Sequence, residues 1–224
     1  MRLTLSITRF DPPIDTEPYC REYPVDWERH ETVLDLLMKA RRQDPSLAYR
    51  RSCRSGICGS CAMHIGDHSR LACQTLVREV AKDGGGLSIK PLPGFRQLKD
   101  LVVDMDPFFD ALRRVLPWVV TIPRQNGLIS PDDSARIESP ATCILCGVCD
   151  AELPQSGTVT PAVLVKNLRL AVDPRWPGEA APRGAAAAGR AWFGFARAGP
   201  PGPAAAEPRA GQRAGLPDSP PAGK

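Results

Sequence analysis

Four cysteines stand out for their spacing. Cys53, Cys58 and Cys61 lie within Cys53-Arg54-Ser55-Gly56-Ile57-Cys58-Gly59-Ser60-Cys61, and Cys73 follows after eleven residues. Written as C-x4-C-x2-C and a more distant C, this is the plant-type ligand pattern for a two-iron, two-sulfur cluster. Three thiolates from one short loop must converge on two irons, so the loop has to fold tightly around an inorganic core. Gly56 and Gly59 suit that demand, because glycine enters positive φ at little steric cost. Small side chains at Ser55, Ser60 and Ala62 would let backbone N–H groups approach the sulfurs, and N–H···S contacts tune a cluster's reduction potential. A zinc site fits less well, since zinc knuckles come as two close pairs and Cys53 and Cys73 do not form one.

A second group, Cys143-Ile144-Leu145-Cys146-Gly147-Val148-Cys149, reads C-x2-C-x2-C. It starts the bacterial four-iron pattern C-x2-C-x2-C-x3-C-P. The fourth slot holds Leu153, which has no ligand atom, although Pro154 still follows it. A four-iron cluster here needs a fourth ligand from elsewhere. A three-ligand zinc or three-iron site, or three reduced thiols without metal, are the other readings. Cys20 lies apart from both groups and reads as structural or incidental. His64 and His68 fall between the third and fourth cysteines. With four thiolates already present, they read as surface or outer-sphere residues rather than as Rieske-type ligands.

The elements around the first loop can be read from periodicity. Leu3, Leu5 and Ile7 alternate with polar residues and predict a half-buried strand over Arg2–Phe10 that stops at Asp11-Pro12-Pro13. Tyr19–Val25 predicts an antiparallel partner. Thr32 with Asp35 forms a capping box, and Val33, Leu36, Leu37 and Ala40 give one apolar helix face that ends before Asp44-Pro45. Met63-His64-Ile65, a turn at Gly66-Asp67 and Arg70-Leu71-Ala72 predict a hairpin that swings Cys73 back to the loop. Leu87-Ser88-Ile89 supplies a last strand. Strand, strand, helix, cysteine loop and strand predict an α+β, β-grasp ferredoxin-like domain over residues 1–106.

From Pro107 the pattern turns helical. Phe108, Leu112 and Val115 are spaced for a buried stripe, and Thr160-Pro161 opens a helix with a stripe at Val163, Leu164, Asn167–Leu168 and Ala171. Residues 107–175 thus predict a partial, all-α ferredoxin-type domain. Beyond Trp176 the chain collapses into Pro, Ala, Gly and Arg, with nine prolines from Pro177 to Pro221. Such a composition cannot bury enough apolar surface to offset its ordering entropy, so residues 176–224 predict a disordered tail in which Trp192-Phe193-Gly194-Phe195 is an isolated apolar island.

Composition sets further bounds. The net charge of +4 is matched by residues 175–224, where seven basic residues face three acidic ones, so the remainder is near neutral and no nucleic-acid partner is expected. Met1–Ser6 alternates apolar and polar residues, unlike a secretory signal. No run approaches the ~18–20 apolar residues of a membrane span. Cysteine clusters in a reducing compartment usually bind metal, which predicts a cytoplasmic protein. No Ser/His/Asp set, phosphate-binding glycine loop or paired carboxylates stands out for catalysis.

The motifs together resemble the iron–sulfur subunit of succinate dehydrogenase and fumarate reductase. The resemblance is carried by Tyr49–Met63, Leu71-Ala72-Cys73, Lys90-Pro91-Leu92-Pro93, Asp104–Phe109, Cys143–Cys149 and Pro161–Leu164, in the family's order. It implies an electron-transfer subunit of an oxidoreductase of the tricarboxylic acid cycle. A two-iron cluster would sit on Cys53, Cys58, Cys61 and Cys73, close to the FAD of a flavoprotein subunit. Cys143, Cys146 and Cys149 match three ligands of a four-iron cluster. A three-iron cluster would lie near a quinone site shared with membrane-anchor subunits, placing the protein peripherally on the cytoplasmic face of the membrane. This sequence departs from the family at Leu153, where the first three-iron ligand belongs, and has no cysteine beyond residue 175. The three-iron cluster is therefore expected to be absent and the relay impaired. The alanine- and proline-rich end resembles a shifted reading frame or a degenerated terminus. A stand-alone two-iron carrier and a zinc-binding structural module are the alternative functions.

Overall fold

The computed structural model describes residues 1–114, 129–153 and 160–174. Val115, Pro154 and the expected disorder of residues 176–224, with its Trp192–Phe195 island, lie outside the described residues.

The first two strands, β1 (Arg2–Arg9) and β2 (Tyr19–Asp26), pair antiparallel with Leu5 opposite Tyr23. Helix α1 (Val33–Gln43) crosses the sheet. Its capping box is complete, with Thr32 accepting from Asp35 N–H and Asp35 accepting from Thr32 N–H. The hairpin β3 (Ala62–Ile65) and β4 (His68–Leu71) follows, then a single turn α2 (Val77–Val80) and β5 (Gly86–Lys90). The sheet order is β2-β1-β5-β3-β4, with β5 parallel to β1 and antiparallel to β3. The core follows from the alternation: Leu3, Leu5 and Ile7 on β1, Met63 and Ile65 on β3, and Leu87 and Ile89 on β5 are buried against Val33, Leu36, Leu37 and Ala40 of α1. The molecule is an α+β protein built on a mixed sheet.

One short ribbon was not expected from the sequence. Strands β6 (Gln97–Lys99) and β7 (Val102–Val103) pair around Asp100, which takes φ +47°. The unusual backbone has a physical reason. The buried Asp100 carboxylate accepts from Arg9 Nε at 2.8 Å, from Phe10 N at 3.0 Å and from Ala48 N at 2.7 Å. Arg9 is itself buried and also reaches Asp44, Tyr23 and Ser46. A buried charge is tolerable only when paired and hydrogen-bonded, and this network meets that condition.

The remaining elements are helical: α3 (Asp106–Arg113), α4 (Pro131–Ala141), α5 (Val148–Glu152) and α6 (Pro161–Ala171). Phe108 and Leu112 of α3 are buried against Ala162 and Val163 of α6. The predicted stripe on α6 is corrected at its edges. Pro161, Ala162, Val163, Val165 and Leu170 are buried, while Leu164, Asn167 and Leu168 are only half-buried and Ala171 is exposed, because α6 packs against α3, α4 and α5 together. Helix α4 carries few apolar residues and its existence was not foreseen. Among the described residues no helix is long and apolar enough to cross a membrane.

Candidate metal centre

The first cysteine loop runs from the end of α1 to β3. Its backbone enters the left-handed region at Gly56 (φ +74°) and Gly59 (φ +70°), as the sequence requires, and also at Arg54 (φ +60°), which it does not announce. These reversals aim N–H groups inward. The Cys53 sulfur accepts from Ser55 N at 3.4 Å, Ile57 N at 3.4 Å and Cys58 N at 3.2 Å, and Cys53 N points at the Cys58 sulfur at 3.5 Å. Ser60 Oγ lies 3.0 Å from the Cys58 sulfur. Of the small residues expected to admit such contacts, Ala62 does not take part. Its N–H is spent on Gly59 O at 3.2 Å.

Cys61 and Cys73 come from the open end of the β3–β4 hairpin, just outside the Ala62–Leu71 pair. Ala72 N–H donates to Cys61 O at 3.1 Å. The start of α1 holds the same segment: Leu34 N–H donates to Ala72 O at 3.0 Å and Val33 N–H to Thr75 O at 2.9 Å. The helix end left unsatisfied by its own turn is thus satisfied by the backbone that carries Cys73.

The four sulfurs fall as two pairs. Cys53 and Cys58 are exposed, each with its N–H on the other's sulfur, while Cys61 and Cys73 are buried neighbours. None of the eight cysteines is in a disulfide. The electrostatics differ between the pairs. Backbone N–H from Ser55 leads the contacts that pull the Cys53 thiol down to about 6, followed by Cys58 and Ile57. Burial pushes Cys61 up to about 12, with the N–H of Cys73 working against it and the sulfurs of Cys73 and Cys58 adding to it. Among the described residues no three His, Cys, Asp or Glu side chains close on one point suited to a single metal ion. Two dithiol pairs side by side suit a two-metal cluster better than one zinc ion, and the donor set of four sulfurs with inward N–H groups fits a two-iron cluster.

The second cysteine group lies on the loop into α5. Leu145 (φ +57°) and Gly147 (φ +80°) turn it, and Gly147 packs under Phe95, Leu92 and Met105. Cys143, Cys146 and Cys149 line a cavity of about 230 Å³ with Asp150, Pro161, Ala162 and Val165. Burial pushes the Cys149 thiol up to about 11 and raises Cys146 as well. Asp150 is buried and receives Ala162 N–H at 3.2 Å, which ties α5 to the start of α6. Leu153 ends α5, donating its N–H to Cys149 O at 3.0 Å, and brings no ligand atom. Three thiols fit part of a four-iron site, and no fourth cysteine joins them among the described residues.

His64 turns to Ser69 Oγ at 3.3 Å and to Glu152 Oε1 at 3.7 Å, away from a ligand role. Cys20 is exposed on β2 opposite Thr8. The structure adds one juxtaposition invisible in the sequence: the second loop seats on the first, with Cys146 against Gly59.

Residues 4–110 match the family model described as a 2Fe-2S iron-sulfur cluster binding domain. A mitochondrial succinate dehydrogenase [ubiquinone] iron-sulfur subunit 1 from Oryza sativa subsp. japonica is 42% identical over 159 residues, covering 67% of this chain and 56% of that relative. The succinate dehydrogenase iron-sulfur subunit of Coxiella burnetii is 32% identical over 183 residues, covering 77% of each chain. The fumarate reductase iron-sulfur subunit of Haemophilus influenzae is 32% identical over 198 residues, covering 80% of this chain and 76% of the relative. Among solved structures, a chain of the Mycobacterium smegmatis Sdh1 complex superposes with a TM-score of 0.68 at 24% identity, covering 87% of this chain and 83% of that one.

Proposed function

The chain belongs to the iron–sulfur subunit family of succinate dehydrogenase and fumarate reductase, and from that footing we propose that it passes single electrons from a flavoprotein subunit toward quinone. Residues 1–106 form the β-grasp, two-iron domain, and residues 107–175 a partial helical domain of the four-iron type. Cys53, Cys58, Cys61 and Cys73 hold the two-iron cluster, the first two on the solvent side and the last two on the buried side. The cluster, when bound, supplies the one-electron redox step; the chain supplies ligands, spacing and hydrogen bonds.

The observation that carries the reading is the set of N–H groups aimed at the Cys53 sulfur beside a buried second pair. Those donors stabilise negative charge on the sulfurs, which is what accepting an electron requires. Among the described residues no set of groups is arranged to activate succinate; the family relationship assigns that chemistry to a flavoprotein partner and the quinone to membrane-anchor subunits. The three thiols of Cys143, Cys146 and Cys149 offer part of the ligand set of a four-iron cluster, and residues 150–224 add no further cysteine. A complex that drew its ligands from these residues alone would deliver poorly to quinone.

Co-expression with a flavoprotein subunit of the family tests the proposal. The chain is expected to co-purify with it, and succinate is expected to bleach the two-iron absorption. A chain that holds two irons but neither co-purifies nor is reduced by succinate would instead be a stand-alone carrier.

A further inference from the structure

Gly59 is buried, and the space a side chain would take there belongs to the second cysteine group. A Cβ added at Gly59 would lie 2.8 Å from Cys146 Cβ, 2.9 Å from Cys146 Cα and 3.3 Å from Cys146 N. These atoms are fixed to the backbone and cannot swing aside as a long side chain does. A second tie lies on the far side of the same loop. Glu152, on α5 just after Cys149, accepts Ser69 N–H at 2.6 Å from the hairpin that carries Cys61 and Cys73. Its Oε1 is also 3.7 Å from His64 Nδ1.

We infer that Gly59 and Glu152 are positioning residues, through which the two-iron loop and its hairpin hold Cys146 and the second cysteine group in place. This rests on the reading above of Cys143, Cys146 and Cys149 as a second sulfur set. Gly59 therefore serves two ends: its φ of +70° turns the first loop, and its missing side chain admits the second.

Gly56 separates the two roles. It has a similar φ of +74°, but a Cβ there would meet Cγ and Cδ of the exposed Gln74 side chain at 2.9 Å, which can swing aside by giving up its amide contacts with Cys73 O at 3.2 Å and Cys73 Sγ at 3.9 Å, all on the first site. Gly56→Ala thus strains the first loop without touching the second.

The test uses the full chain, reconstituted anaerobically with iron and sulfide, and brief alkylation with iodoacetamide read by mass spectrometry. Gly59→Ala is expected to raise the labelling rate of Cys146 about tenfold, a change in local opening of about 1.4 kcal/mol, while Gly56→Ala leaves it near the native rate. Glu152→Ala should raise it too, and Glu152→Gln should restore it, because the amide oxygen still accepts Ser69 N–H. Equal labelling in Gly59→Ala and Gly56→Ala, or native labelling in Glu152→Ala, overturns the inference. Should Gly59→Ala lose the two-iron spectrum, the Glu152 pair alone decides in the same way. The two-iron spectrum of the unaltered chain reports separately on the ligand reading, since labelling of Cys146 is measured by mass and needs no bound iron.

Discussion

Hydrogen bonds to sulfur divide the first four cysteines into unlike pairs. Cys53 gathers three N–H groups and Cys58 lies beside the Ser60 hydroxyl, whereas Cys61 is buried. With a ligating thiolate at Cys58, the hydroxyl of Ser60 donates. Ser60→Ala should therefore lower the reduction potential of the two-iron site by about 40 mV, the one-electron equivalent of a hydrogen bond of about 1 kcal/mol, as a redox titration would show. An unchanged potential would remove Ser60 from the account. Elsewhere, Asp44 shows how a buried charge is kept. Burial alone would raise its carboxyl, but hydrogen bonds from Ser46, Tyr23 and Arg9 hold it well below the usual carboxylate range. A depressed folded-state pKa contributes stability that is present above the unfolded value of about 3.9 and lost as pH falls below it. Asp44→Asn should cost about 1–3 kcal/mol near neutrality, because Arg9 keeps Asp100 but loses a charged hydrogen bond to Asp44, and should flatten the acid limb of the stability profile. Chemical denaturation at a series of pH values measures both. Cysteine identities and the two loop glycines were legible in the sequence. The positive φ of Arg54 was not, since it is set by where the N–H groups must point rather than by the residue's own preference.

Helix α1 links core to site. Its first N–H groups grip the carbonyls of Ala72 and Thr75 on either side of Cys73, and its capping box fixes where those groups begin. Thr32→Ala should cost about 1 kcal/mol of stability. It should also speed loss of iron from the first site to a chelator, an effect a distant cap would not have. Leu36→Ala, deep in the core, should cost about 2–5 kcal/mol and act on stability first, by the lower denaturation midpoint it produces. The strands, α1 and the hairpin were readable because each declares a period or a cap locally. The β6–β7 ribbon was not, because it depends on Asp100 reaching back to Arg9 and Phe10 across the fold. The α6 stripe was misjudged at Leu164 for a related reason. Contacts with α3, α4 and α5 shift the buried face, turning Ala162, Val165 and Leu170 inward and leaving Ala171 exposed, which the helix's own periodicity does not show.

At the scale of the whole molecule, two cysteine loops that are distant in sequence share a wall, Gly59 against Cys146, and so stand within one packed unit. That neighbourhood is what an electron relay needs, and no one-dimensional pattern could have shown it. The same view sets the two groups apart: Leu153 ends α5 where the sequence pattern expects a further ligand, so among the described residues the second group offers three thiols and the first four. The central claim is that four sulfurs in two pairs bind a pair of irons. Metal and acid-labile sulfide analysis of the purified chain, with low-temperature electron paramagnetic resonance after reduction, tests it directly. About two irons and two sulfides per chain with a reduced two-iron signal are predicted, all lost in Cys61→Ser. Zinc bound without iron or sulfide would contradict it.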